Sequence, residues 1–191
     1  VPTIIDIRRH LVMEERDFPQ EVTPVFNNIE RNANPWEISN DKRAEWAAGL
    51  DIPLMSDNPD ADVLYWVGCM GSFDERNKKV ATAVAKILKA AKVNFAILGP
   101  QESCTGDPAR RIGNEYLWQM MAQQNIETLN GYGLNINDQR DGHAMNGHAP
   151  GNGVAGTAPR HRTIITACPH CFNTIKNEYP QLGGNYDVVH H

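Results

Sequence analysis

The sequence predicts an α/β fold: a parallel β-sheet with flanking helices in the order β-α-β-α-β-α-β, preceded by a helical connector. Two observations lead to this prediction. From about residue 61 onward, short apolar runs rich in β-forming residues alternate with segments of helical periodicity. Before that point, prolines separate short apolar pieces, which is typical of short helices joined by turns. We therefore assign residues 1–60 to the connector and residues 61–191 to the strand-bearing domain.

The connector carries signals for caps and turns. Asn40-Asp41 is a cap pattern for a short helix, and Asp57-Asn58-Pro59-Asp60 is a turn signal that ends the connector. No connector residue carries a pattern typical of catalysis. We assign none of them to the functional site.

The first two strands are predicted at 63–67 and 93–98, where continuous apolar runs indicate strands buried on both faces. Between them, Ser72 and Glu75 form a capping-box pattern that predicts the start of an amphipathic helix. After the second strand, Asp107-Pro108 predicts another helix start. The residues expected on one face of that helix are Ile112, Tyr116, Met120 and Gln124.

The last two strands are predicted at 163–167 and 186–189, with a helix from Pro169 to about Tyr179 between them. Glycines and polar residues interrupt the pattern at about 134–162, so we expect a long flexible insertion there. In a parallel sheet, functional groups gather beyond the carboxyl ends of the strands. Those ends are the place to look for a site.

Composition excludes several classes of protein. The 191-residue chain has a net charge of -5 and no run of Lys or Arg, so we expect no nucleic-acid partner. It has no apolar stretch long enough to span a membrane and no signal-peptide pattern, which predicts a cytoplasmic protein. We also expect that the chain is a piece of a longer protein. In a reducing compartment its 4 cysteines favour metal binding or redox chemistry over disulfides.

The cysteines follow three successive predicted strands. Cys69 follows the first strand, Cys104 the second, and Cys168 and Cys171 the third. Because the carboxyl ends of parallel strands share one edge, the thiols are expected to converge, each near a helix start that favours thiolate. Four thiolates suit an iron–sulfur cluster or Zn²⁺. The alternative is that Cys69 and Cys104 are core residues and the CxxC is an isolated redox pair.

Three sequence blocks resemble one repeat of the cysteine-rich CCG domain. They are Gly68-Cys69-Met70-Gly71-Ser72, Ser103-Cys104-Thr105-Gly106 and Ala167-Cys168-Pro169-His170-Cys171. That domain occurs in the B-type subunit of heterodisulfide reductase and in related iron–sulfur subunits, including that of glycolate oxidase. The resemblance covers about residues 62–191, and the connector resembles the stretch after a ferredoxin-like domain in iron–sulfur-binding reductases.

The resemblance implies a 4Fe–4S cluster held by Cys69, Cys104, Cys168 and Cys171, and electron transfer within an iron–sulfur oxidoreductase. The implied partners are a ferredoxin-like domain, a second CCG repeat and a flavin, quinone or ferredoxin centre. A membrane would be reached only through another domain of the parent protein, at its cytoplasmic face. We expect this chain alone to lack a complete active site. Ser103 replaces the first of the family's adjacent cysteines, which favours a cubane over a non-cubane cluster.

Several other residues are candidates for a role at the site. Ser103 and His170 could donate hydrogen bonds to a cluster sulfur, although His170 also fits a solvated helix start. Arg110 and Arg111 fit either compensation of cluster charge or a solvated helix face. Gly68 and Gly71 lack the spacing of a dinucleotide-binding loop. The remaining candidates, which suggest zinc but lie in a glycine-rich setting, are His143, His148 and His161.

One rival function belongs to a different class. All-sulfur ligation also suits a structural zinc module that only organises a larger assembly. Colour separates the two hypotheses, because sulfur-to-iron charge transfer absorbs near roughly 400 nm and a zinc site is colourless.

Overall fold

The computed structural model describes residues 2–137 and 162–191, and over these residues the predicted α/β fold class is confirmed. The sheet has 4 parallel strands in the order β2-β1-β3-β4. The strands are β1 Val63–Trp66, β2 Phe95–Ala96, β3 Thr163–Thr166 and β4 Asp187–His190. Strand β1 therefore lies between β2 and β3.

Strand β2 is shorter than the predicted 93–98. Past Ala96, the chain pairs with the connector instead of continuing along β1, through a parallel bridge between Ile97 and Leu54. The Met55 amide donates to the Ile97 carbonyl at 2.8 Å, and the Ile97 amide donates to the Pro53 carbonyl at 3.0 Å. The connector thus continues this edge of the sheet.

The helices cover both faces of the sheet. In the connector they are α1 Pro2–His10, a π-helical turn Leu11–Glu15, a 3₁₀ turn Gln20–Val22, α2 Thr23–Asn32 and a 3₁₀ helix Asn40–Ala47. After β1 come α3 Gly68–Phe73 and α4 Glu75–Ala90. After β2 come a 3₁₀ turn Gly99–Gln101, α5 Asp107–Ile112 and α6 Glu115–Gly131. After β3 comes α7 Pro169–Asn173, which continues as a π turn Thr174–Glu178 and a 3₁₀ turn Tyr179–Leu182.

Alternate residues of β1 enter two separate hydrophobic clusters, as expected for a strand covered on both faces. Leu64 and Trp66 belong to the cluster that contains α2, α6 and the helix after β3. Tyr65 packs in the other cluster, against α4 and Trp46 of the connector. Because the connector contributes to both clusters, it packs as part of the core. The predicted boundary at residue 60 stays a prediction.

The start of α4 differs from the sequence prediction. Helix α4 is capped by Asp74, whose Oδ1 accepts from the amides of Arg76 at 3.1 Å and Asn77 at 2.9 Å. Ser72 is not the cap, because the chain already turns into α3 at Gly68, and Ser72 lies buried within that short helix.

The helix predicted after Asp107 is split in two. Helix α5 ends at Ile112, and the next residue, Gly113, has φ of +117°; a Cβ there would lie 2.5 Å from the Arg8 carbonyl of α1. Asn114 then caps α6 in a new phase. Tyr116 and Met120 are consequently 64% and 42% exposed. The buried face of α6 consists of Leu117, Trp118, Met121, Ala122, Asn125, Ile126 and Leu129.

The predicted insertion falls largely outside the described residues. At its start, Leu134 and Asn135 are buried. The histidines considered as zinc ligands there, His143, His148 and His161, lie outside the described ranges.

Candidate metal centre

The four cysteines lie together at the carboxyl edge of the sheet. Cys69 follows β1, Cys104 follows β2, and Cys168 and Cys171 follow β3. Because β2 and β3 flank β1 on opposite sides, this edge is the point where the strand order reverses, the usual position of a binding site in such sheets. All four side chains line one cavity of about 470 Å³, called the thiol cavity below.

The cysteines form two interacting pairs, and all four are free thiols. The first thiol pair is Cys69 with Cys104, and the second thiol pair is Cys168 with Cys171. Each pair has one half-buried member and one buried member, Cys104 at 4% and Cys171 at 6% exposure. Cys171 also interacts electrostatically with both members of the first pair. The two pairs therefore share one local environment.

The half-buried member of each pair is the more acidic. A hydrogen bond from Cys104, followed by the charge of Arg43, lowers the pKa of Cys69. A hydrogen bond from Cys171, followed by backbone N–H groups at the start of α7, lowers the pKa of Cys168 to about 5. Donation to these partners, together with burial, raises the pKa of Cys104 and Cys171. Each pair thus favours one thiolate before any metal binds, and the thiolate is the metal-binding form.

Glycines allow the cysteine loops to approach one another. Gly68 has φ of +75°, and a Cβ there would lie 3.1 Å from Cys171 Sγ and 3.6 Å from Cys168 Cβ. Gly106, at the start of α5, donates its amide to Cys104 Sγ at 3.5 Å. A side chain at Gly68 would therefore press on the second thiol pair from the first loop.

The backbone of Cys104 is fixed from two sides. Its amide donates to the Ala33 carbonyl of the connector at 2.8 Å. Its carbonyl accepts from Asn125 Nδ2 of α6 at 2.9 Å, and Asn125 also donates to Tyr179 at 3.0 Å. The connector, through Ala33, and α6, through Asn125, therefore set the position of this thiol. Tyr179, after β3, supports Asn125.

Sequence reasoning missed two charged residues beside the first thiol pair. Arg43 and Glu102 form a salt bridge at 3.0 Å in which both side chains are only 1% exposed. Arg43 Nη2 also lies 3.5 Å from Cys69 Sγ. The sequence signal was weak, since Glu102 lies near Cys104 but Arg43 lies 59 residues earlier in the chain.

Glu102 also holds the turn that leads to Cys69. Its carboxylate accepts from the amides of Val67 at 2.9 Å and Gly68 at 2.8 Å. Burial raises the pKa of Glu102, and the charge of Arg43 and these two amides oppose that rise. The ion pair thus links the connector to the loop after β1.

The predicted neighbours of the cysteines, Ser103 and His170, also line the thiol cavity. Ser103 is buried at 3% exposure, whereas His170 is exposed with its Nδ1 3.9 Å from Cys168 Sγ. Arg111 lines the same cavity and donates to Asp107 at 2.9 Å and to Glu178. Arg110 donates to Glu178 at 2.8 Å and stacks on Trp118 with 3.6 Å to the ring centroid. The two arginines therefore form ion pairs and do not make a solvated face.

A family comparison covers part of this arrangement. The family profile of the cysteine-rich CCG domain matches residues 63–138, which include β1, β2 and the first thiol pair. Over these residues the chain matches the cysteine-rich CCG domain. No solved structure gives a significant match to it.

Larger proteins contain regions similar to this chain. An EtfAB:quinone oxidoreductase of Syntrophomonas wolfei is 38% identical over 196 residues, covering 100% of this chain and 24% of that protein. A probable iron–sulfur-binding oxidoreductase FadF of Bacillus subtilis is 35% identical over 198 residues, covering 100% of this chain and 24% of that protein. The D-type subunit of a dihydromethanophenazine:CoB–CoM heterodisulfide reductase from Methanosarcina mazei is 24% identical over 163 residues, covering 82% and 32%. The chain thus spans about a quarter to a third of these relatives.

The thiol cavity has the donors that a sulfur-ligated cluster requires. Four thiols border it, and Trp66 also lines it; the indole Nε1 of Trp66 is buried and has no hydrogen-bond partner among the described residues. A buried donor without a partner suits a cavity that receives an acceptor such as sulfide. Within residues 2–137 and 162–191, no group of three or more His, Cys, Asp or Glu side chains is arranged to hold a metal ion. A cavity of about 470 Å³ has room for a multi-atom group.

None of the helices in the described ranges is both long enough and apolar enough to cross a bilayer.

Proposed function

We propose that this chain is an electron-transfer module of a larger iron–sulfur oxidoreductase and that Cys69, Cys104, Cys168 and Cys171 hold a 4Fe–4S cluster. The observation that carries the proposal is that all four thiols line one cavity at the carboxyl edge of the sheet. The name of one relative, an iron–sulfur-binding oxidoreductase, supports the cofactor. The name of another, EtfAB:quinone oxidoreductase, supports transfer of electrons between centres.

The chain's own residues hold and shield such a group. When bound, a 4Fe–4S cluster supplies one-electron transfer. The four thiolates would ligate iron, and the starts of α3 and α7, beside Cys69 and Cys168, would offset negative charge. Trp66, Trp36 and Pro35 on the cavity wall exclude water, and lower local polarity tunes the potential.

A cubane is the cluster type that the ligand set favours. The family pattern has a cysteine where this chain has Ser103, and Ser103 lies on the cavity wall. A serine hydroxyl has far too high a pKa to replace a bridging thiolate readily. Four thiols remain, which is the number that a cubane requires.

The parent protein supplies the electron donor and acceptor in this proposal. Because the chain covers 24% of two relatives and 32% of a third, most of each relative lies outside the matched region. A ferredoxin-like domain, a second CCG repeat and a flavoprotein or quinone site are the proposed partners. We place the module in the cytoplasm or at the cytoplasmic face of the membrane.

Metal analysis of protein produced without oxygen tests the proposal against the structural zinc module. We expect brown protein with iron and acid-labile sulfide, broad absorbance near roughly 400 nm, and bleaching on chemical reduction. Colourless protein with stoichiometric zinc would overturn the proposal. In that case the thiol cavity would be a structural site.

A further inference from the structure

Arg43 is buried in the connector's 3₁₀ helix with nearly all its donors engaged. Its side chain is 1% exposed. Nε donates to Asn40 Oδ1 at 2.9 Å, Nη1 to Glu102 Oε1 at 3.0 Å and Nη2 to the Ala33 carbonyl at 2.9 Å. A buried guanidinium is stable only when such partners compensate its lost hydration, so its position is well determined.

A further contact of Arg43 reaches the thiol cavity. Nη2 lies 3.5 Å from Cys69 Sγ, and the guanidinium lies 5.3 Å from the centre of the Phe73 ring. A hydrogen bond from a cation to a thiolate sulfur is charge-assisted. Because the group is buried, water screens its charge weakly, and its effect on a neighbouring negative group is larger than at a surface.

Glu102 places a negative charge beside the same cysteine, Cys69. It pairs with Arg43 and accepts the Gly68 amide at 2.8 Å, directly before Cys69. Besides the hydrogen bond from Cys104, which contributes most, Arg43 lowers the pKa of Cys69 and Glu102 raises it. The two side chains therefore act on Cys69 with opposite signs.

We propose that Arg43 is a positioning residue that raises the reduction potential of the cluster ligated by Cys69, and that Glu102 limits this rise. The inference rests on the proposed function. One-electron reduction by an external donor adds one negative charge and releases no proton or leaving group. A cation 3.5 Å from a ligating sulfur stabilises the reduced form, and a nearby carboxylate destabilises it. The connector, which lies outside the matched residues 63–138, thus becomes part of the redox site.

The test is a potentiometric titration of anaerobically reconstituted wild-type protein and variants, followed by electron paramagnetic resonance and with iron content measured in parallel. Arg43→Gln should lower the midpoint potential, and Glu102→Gln should raise it. Arg43→Lys keeps the charge and should restore most of the wild-type value. Arg111→Gln is the matched control, because Arg111 lines the same cavity but pairs with Asp107 and Glu178, and its removal should shift the potential less.

Opposite shifts in the two Gln variants would support the inference, because a purely structural pair would not give opposite signs. Shifts of the same sign, or unchanged potentials at full iron content, would overturn it. If Arg43→Gln loses its cluster, the midpoint potentials of Arg43→Lys and Glu102→Gln decide. A potential that rises in Glu102→Gln and stays near the wild-type value in Arg43→Lys supports the inference. No rise in Glu102→Gln overturns it. Failure of the proposed function would show itself differently, as wild-type protein that binds zinc and no iron.

Discussion

The two thiol pairs line the same cavity but are held by different means. The first thiol pair is surrounded by long-range contacts: Arg43 and Ala33 reach it from the connector, and Asn125 reaches it from α6. The second thiol pair is local, since Cys168 and Cys171 are three residues apart and Cys168 accepts backbone N–H groups of His170 and Cys171 at the start of α7. The surroundings of the second thiol pair therefore come mostly from its own CxxC segment, whereas those of the first thiol pair come from segments that only folding brings together.

This difference bears on stability. The first thiol pair is tied to segments far apart in sequence, so ligand binding there couples to the folding of the connector. The second pair can form its hydrogen bonds within a single helix turn. We expect perturbation of the first pair to spread further through the molecule.

Loss of any one thiol should have the largest effect. Replacing Cys69, Cys104, Cys168 or Cys171 by Ala should strip most of the iron, because a cubane needs four ligands. The cluster-loaded protein should also lose stability, because the cluster joins loops distant in sequence. Iron analysis and thermal unfolding check this. Full iron content in Cys69→Ala would show that the second thiol pair binds metal without the first.

Gly68→Ala should have the next largest effect, because it acts where the two pairs meet. The positive φ costs roughly 1–2 kcal/mol for a residue with a Cβ, and the added Cβ would lie 3.1 Å from Cys171 Sγ. We expect lower stability in chemical unfolding and reduced iron content.

Gly49→Ala separates the two causes. Gly49 has φ of +74° but no atom within 4 Å of an added Cβ, so it measures the backbone cost alone. Equal losses of stability and iron in both variants would contradict the close approach of the two loops.

Cys168 should be the most reactive thiol of the cluster-free protein near neutral pH. Its pKa of about 5 lies below the ordinary thiol value. The stabilisation from its thiolate is therefore complete above the unfolded-state pKa and is lost as the pH falls through about 5. Alkylation rates followed by peptide mass spectrometry should titrate with that low midpoint.

Cys171→Ala is the informative variant for this pH dependence. It removes the main hydrogen bond to Cys168, so the midpoint of alkylation should rise toward that of an ordinary thiol. An unchanged midpoint would show that the helix start, and not the partner thiol, sets the acidity.

Trp66→Phe should have the smallest effect. Trp66 lines the cavity, and the change removes its unpartnered indole N–H but keeps an aromatic ring, so the cluster should stay bound with a slightly lower potential. Trp118→Phe is the control, because its Nε1 is also buried without a partner among the described residues, but Trp118 does not line the thiol cavity. Equal shifts in both variants would argue against a donor role for Trp66.

Local sequence patterns were sufficient for the sheet and for the cysteine positions. Apolar runs mark β1 and β3 because strands buried on both faces need no polar alternation. The phase of α6 was wrong because Gly113 breaks the helix against α1, a contact that involves Arg8, more than a hundred residues away. Arg43 could not be assigned for the same reason, since nothing near it in sequence indicates Glu102 or Cys69. Whether the four thiols are ligands stays a prediction.

Native mass spectrometry of anaerobically produced protein tests the central claim most directly. We predict one dominant species whose mass exceeds that of the polypeptide by about four iron and four sulfide atoms. The same measurement on Cys69→Ala should show the polypeptide alone or a smaller iron–sulfur species. A wild-type mass that corresponds to a single zinc ion, or the same iron–sulfur increment in Cys69→Ala, would contradict a cluster shared by both thiol pairs.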